Sequence, residues 1–141
     1  MAIFVGIDPG VNTGLAVWDT VSRSFLDIRS SGIVDAMEYL RRLHSERTIS
    51  LVVFEDARQR KWIPREKDLK EFKGRTMGAG SVKRDCTIWE EWCKYHRIDF
   101  VKTPPWAGMT KLSDAFFQGL TGYDRRTNNH GRVAAMLIFG R

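Results

Sequence analysis

Residues 3–19 read IFVGIDPGVNTGLAVWD. Two apolar runs, Ile3-Phe4-Val5 and Leu15-Ala16-Val17-Trp18, flank the glycine-rich turn GIDPGVNTG at 6–14. A strand–turn–strand unit needs turn glycines. It does not need a carboxylate at the end of a buried strand. Asp8 is therefore either a turn-capping aspartate or a group placed to hold something.

Working outward, residues 2–8 and 14–20 read as the first two strands, and SFLDIRSS at 24–31 as a third. Three strands with short connections suggest an antiparallel meander. Residues 34–46 carry Val34, Met37, Leu40 and Leu43 at helical spacing. ISLVVFED, 49–56, is a β-branched, nearly continuous apolar run, the pattern of a strand buried on both faces after a helical crossover. It ends in a second acid, Glu55. The segment 57–75, with Pro64 and weak periodicity, reads as a loop or a frayed helix entry. Residues 81–97 read as a helix with Val82, Cys86, Trp89 and Cys93 on one stripe, Ser81 as its N-cap and His96 at its carbonyl end. IDFVKT is a fifth strand, and helices are expected over 110–120 and 128–139. The predicted order is β-β-β-α-β-α-β-α-α: one α/β domain over residues 1–141 with a mixed five-stranded sheet and helices on both faces.

A chain of 141 residues is long enough for one domain with a real core. It is 43% hydrophobic and 28% charged, the balance of a water-soluble globular domain. No stretch approaches a membrane span and no basic leader precedes the first strand, so a cytoplasmic protein without a membrane partner is expected. Cys86 and Cys93 would lie two helical turns apart, too far to bridge, and read as reduced core thiols. The net charge of +6 points to an anionic partner, usually nucleic acid. Between Arg58 and Arg75 stand eight basic residues against three acids, so one segment supplies most of that charge.

In one well-known architecture, three adjacent strands followed by a crossover helix and a parallel strand bring the first and fourth strands side by side. That places Asp8 and Glu55 at neighbouring strand ends. Adjacent carboxylates repel, and a divalent cation between them stabilises both. Hard oxygen ligands beside a basic segment point to Mg²⁺ or Mn²⁺ and phosphodiester chemistry.

Three motifs in order, IFVGIDPGVNTGLAVWD, LVVFEDAR and NNHGRVAAMLI, resemble the RuvC family of Holliday-junction resolvases, of ribonuclease H-like fold, and most of all its short phage and prophage branch. The likeness runs nearly end to end. It implies a homodimer that binds a four-way DNA junction and nicks two symmetric strands with divalent metal, in recombination, repair or phage DNA processing. It implies that Asp8 and Glu55 are catalytic, metal-binding acids. In the family the last helix adds an acid or histidine and, three residues on, an aspartate. His130 takes the first of these positions, and the second falls on Val133, which binds no metal. Three explanations fit: a binding protein that has lost cleavage, an inactivated variant, or a site in which Asp8, Glu55 and His130 suffice for weak activity. Lys111 matches the region where the family's lysines serve the scissile phosphate, although by spacing alone it is equally a surface lysine.

ARQRKWIPR follows Glu55-Asp56 directly, so Arg58, Arg60, Lys61, Trp62 and Arg65 are candidate DNA contacts, with cations for phosphates and a ring for an unpaired base. The plain alternative is a solvated loop with Trp62 packed on the body. Arg125 and Arg126 form a second basic group. Ile88, Trp92 and Tyr95 make a second apolar stripe on the 81–97 helix, either part of one wide core face or a dimer face; the resemblance favours the dimer. A phosphotransferase of the actin or sugar-kinase type shares the strand–Asp–glycine turn but needs a second half, for which the chain has no room.

Overall fold

The computed structural model describes residues 2–59, 69–105 and 112–141, with 69–79 described by backbone alone. Its elements are β1 (Ile3–Asp8), β2 (Thr13–Asp19), β3 (Ser24–Ser31), α1 (Ile33–Glu46), β4 (Ile49–Glu55), a 3₁₀ turn (Ala57–Gln59), α2 (Leu69–Tyr95), β5 (Phe100–Thr103), α3 (Asp114–Thr121) and α4 (Asn129–Ile138). The expected order of strands and helices is thus the observed one. The strands form one sheet in the order β3-β2-β1-β4-β5. β1 runs antiparallel to β2 and parallel to β4, β2 antiparallel to β3, and β4 parallel to β5.

Alternation along the strands splits the core into two layers. Ile3, Val5, Ile7, Leu15, Val17, Val52 and Phe54 pack against α1 and α2 through Leu40, Trp89 and Cys93. Ala16, Trp18, Ile28 and Val53 face the other way, onto Phe117 of α3 and Ala134, Ala135 and Ile138 of α4. By the same alternation Asp8 and Glu55 belong to the α4 side. Among the described residues no helix is long and apolar enough to cross a membrane.

α4 lies very close to the sheet, and glycines permit it. A methyl group on Gly14 would overlap the His130 carbonyl, and one on Gly6 the Ala134 carbonyl. Gly14→Ala is therefore expected to push the start of α4 off the sheet and to destabilise the protein by about 3 kcal/mol or more, the scale of core overpacking against backbone that cannot yield. Urea unfolding measures this, and a loss below about 0.5 kcal/mol, the range of a neutral surface change, would refute the close contact.

The long helix differs from expectation. α2 begins at Leu69, twelve residues before the predicted start, so Ser81 lies inside it and caps nothing. Gly74, Gly78 and Gly80 weaken the helical signal over this stretch, yet the backbone is helical through it. The helix ends at Tyr95, with Arg97 left-handed (φ 57°) and the Ile98 N–H donating to the Cys93 carbonyl at 2.9 Å. This is the double-wrapped helix end usually made with glycine. α3 begins at Asp114, capped by the Ser113 hydroxyl, which accepts from the Phe116 N–H. α4 is capped by Asn128, whose side chain accepts from the Gly131 N–H.

Candidate active site at the sheet's carboxyl edge

Pairing of β1 with β4 runs from Ile3 to the couple Ile7–Phe54. One residue further lie Asp8 and Glu55, each the last residue of its strand. The first turn of α4 crosses this edge, because its backbone rests on Gly14 at the start of β2. It brings His130 Nδ1 to 3.1 Å from Asp8 Oδ2. Residues 122 positions apart thus meet, with the Asp8 side chain 16% exposed and that of His130 48%. Burial pushes the Asp8 carboxyl above its ordinary value, and the hydrogen bond and charge of His130 pull it part of the way back. A carboxylate short of solvent is poised for a cation.

The donor set is two carboxylates and an imidazole, chemistry that suits a divalent ion and tilts toward Mn²⁺ over Mg²⁺ because of the nitrogen. Yet among the described residues no three His, Cys, Asp or Glu side chains converge into one metal-sized cluster. The fold brings Asp8 and His130 into contact and sets Glu55 at the adjoining strand end. Val133, one turn beyond His130, is buried at 8% exposure and belongs to the core. Asn129, a conceivable substitute ligand, accepts a bond from Arg132 instead.

Arg58 proves to be part of the scaffold. Its guanidinium grips Asp56 through two bonds, 2.7 and 2.9 Å, and reaches Thr87 and Glu90 of α2 at 3.3 and 3.5 Å. Glu90 also receives Lys102 of β5 at 2.8 Å. Its donors are engaged within the fold, because the buried Asp56 beside it needs a counter-charge. Burial alone would raise the Asp56 carboxyl, but the bonds from Arg58 outweigh it and hold the group below its ordinary value. Arg58→Ala is expected to cost about 3 kcal/mol, the scale for stranding a buried charge. Because a depressed carboxylate stabilises only while ionised, this difference should shrink as pH falls through the folded Asp56 value. Denaturant melts of parent and variant at neutral and acid pH check both statements; a pH-independent loss would count against the pair.

The other basic candidates divide. Arg60, Lys61, Trp62, Arg65 and Lys111 lie outside the described residues. Arg125 donates to the Leu26 carbonyl at 2.9 Å and sits over the Tyr123 ring, while Arg126 is exposed. On α2, Trp92 is buried with Trp89 in the core, whereas Tyr95 is 83% exposed. The second stripe thus divides between core and surface. A groove between α1 and α2 is lined by Val34, Met37, Ile88, Trp92 and Tyr95. Cys86 and Cys93 are free, buried thiols, as expected.

Sequence reasoning passed over Arg132, Asp114 and Thr127, which interlock behind the first turn of α4. The available signal was a lone arginine in an otherwise apolar helix, GRVAAMLI.

No protein-family profile matches the chain, and no curated protein matches its sequence. Solved structures do match its fold. RuvC of Thermus thermophilus in complex with a Holliday junction substrate superposes with a TM-score of 0.60 at 12% identity, covering 97% of this chain and 90% of that one. A second Thermus thermophilus RuvC structure gives a TM-score of 0.55 at 15% identity, over 96% and 90% of the two chains. At such identities the likeness is one of fold: the mixed five-stranded sheet with helices on both faces is the architecture of RuvC.

Proposed function

We propose that this chain is a RuvC-like, metal-dependent endonuclease that binds four-way DNA junctions and nicks them, with cleavage held low by Val133. The observation that carries the reading is the meeting of Asp8 and His130 at the strand end next to Glu55, on the fold of RuvC. Asp8 and His130, already in contact, would hold one Mn²⁺ or Mg²⁺, and Glu55 at the adjoining strand end would move in to complete the ligand set. A bound ion supplies charge neutralisation at the scissile phosphate and a more acidic water. The chain's own part is to fix the ligands on two paired strands and a helix that cannot slide, because Gly6 and Gly14 lock α4 to the sheet. The basic segment after Gln59 would follow the phosphates, with Trp62 as a stacking ring, and Lys111 would face the reacting phosphate. Arg126, which is exposed, would add a further phosphate contact.

The reading includes a twofold dimer through α2, with Tyr95 and the α1–α2 groove in the contact, matching the near-twofold symmetry of a junction. Sedimentation at micromolar concentration is expected to give twice the chain mass.

A second reading, a junction-binding protein without cleavage, is favoured by the buried Val133. One experiment separates the two. A labelled synthetic four-way junction is bound without metal against linear competitor, then incubated with Mn²⁺ or Mg²⁺ and run on a denaturing gel. Selective binding with paired nicks is expected. Selective binding without nicks selects the second reading, and no preference for the junction overturns both.

A further inference from the structure

We propose that Arg132, acting with Asp114 and Thr127, is a positioning residue that seats His130 on Asp8. The inference rests on the reading of His130 as a metal ligand. Arg132 is 8% exposed and sits in the first turn of α4. A cation there opposes the positive end of the helix dipole, so its burial needs a compensating task. Its Nη1 donates to the Thr127 carbonyl at 2.6 Å and to the Thr127 hydroxyl at 3.0 Å, and Nη2 donates to Asn129 Oδ1 at 2.6 Å. The fork thus grips the residues on either side of the cap, Asn128, immediately before His130. Its Nε is buried without a partner, so the geometry favours the two grips over full satisfaction of the guanidinium.

Asp114 completes the lock. Thr127 donates to Asp114 Oδ1 from its N–H at 3.1 Å and from its hydroxyl at 2.7 Å, and Arg132 lies 3.8 Å from the same carboxylate. From the opposite side the 123–128 segment is stitched along the edge of β3 at every second residue. Arg125 bonds the Leu26 carbonyl, the Tyr123 hydroxyl accepts from the Ile28 N–H, and the Asn128 amide donates to the Ser30 hydroxyl. The His130 ring is half exposed, so packing does not hold it in place. Its position is set by the backbone, which these bonds fix together with the close seat of His130 on Gly14.

The test uses imidazole ¹H–¹⁵N spectra of the metal-free protein, whose three histidines are His44, His96 and His130. In Arg132→Lys, which keeps charge but loses the fork, the His130 ring signals are expected to move toward those of Asp8→Asn. Those of His44 and His96, remote from the lock, should stay. The Mn²⁺ concentration that half-broadens the His130 signals should rise roughly tenfold, the usual effect of a lost outer-shell partner. Thr127→Val, which replaces the hydroxyl with a methyl group, is the second variant and decides the question if Arg132→Lys does not fold. Folded variants with parental His130 signals and Mn²⁺ response would overturn the proposal. Failure of the parent to prefer junctions would overturn the proposed function instead, and leaves the metal-free His130 signals as a separate readout.

Discussion

Val133→Asp is expected to raise metal-dependent nicking of a four-way junction by about a hundredfold or more. An added carboxylate one turn beyond His130 gives the ion a further charged ligand on the same helix face. A properly held ion is worth several kcal/mol of transition-state stabilisation, and each 1.4 kcal/mol is roughly tenfold in rate. The substitution also has a cost that the structure locates. Val133 is in the core, and a polar group stranded there destabilises by about 1–3 kcal/mol. Asp8 already holds its proton more tightly than usual because of burial, and a second acid nearby strengthens that tendency.

The variant should therefore melt below the parent without metal and recover when Mn²⁺ is added. An ion at a hundred times its dissociation constant restores about 2.7 kcal/mol. Thermal melts with and without Mn²⁺, beside a denaturing gel of the cleavage products, read both effects. A folded, junction-binding variant with neither new nicks nor a metal-dependent melt would mean that Asp8, Glu55 and His130 do not share an ion.

What the sequence disclosed and what it hid follow from the range of the interactions involved. Strands punctuated by glycine turns and acids at strand ends are local patterns, and they led to the observed order of elements; that β1 and β4 are neighbours, with Asp8 and Glu55 at adjoining ends, came from likeness to a known architecture and is also observed. The start of α2 was not legible, since three glycines weaken the helical signal from 69 to 80, yet the backbone there is helical. The bond of Arg58 to Asp56 was hidden as well: that Asp56 would be buried beside it is a tertiary fact. The Arg132 lock joins residues from two helices and a loop, and no spacing rule connects Asp114 with Thr127 or Thr127 with Arg132. Trp92 was ambiguous for a related reason: helical spacing assigns a face, and only packing against α1 decides whether that face is core.

Asp8→Asn is expected to abolish nicking while raising the melting temperature of the metal-free protein at neutral pH. Burial raises the Asp8 carboxyl in the folded state. The folded chain then binds that proton more tightly than the unfolded chain does. The contribution of Asp8 to stability accordingly falls as pH rises from the unfolded value, about 3.9, through the raised folded value, and the full penalty remains at neutrality. Asparagine carries no charge to desolvate and still offers an oxygen to His130. The groups held below their ordinary values behave oppositely: Asp114 bonded by Thr127, Glu90 by Lys102, and Asp56, whose Arg58 bonds outweigh its burial, lose stability as pH falls. They titrate alike in both proteins, so the difference between parent and variant isolates Asp8. That difference should be near zero at the acid end, grow as pH rises through the Asp8 window, and level off by neutral pH. Adding Mn²⁺ should reverse the ranking, because it stabilises the parent by binding Asp8 and does little for the variant. A variant less stable than the parent without metal would show that Asp8 serves the fold as a turn cap, the structural role that GIDPGVNTG equally allows. A variant more stable without metal and less stable with it identifies a carboxylate kept at the strand end, at a cost to stability, for the ion it holds.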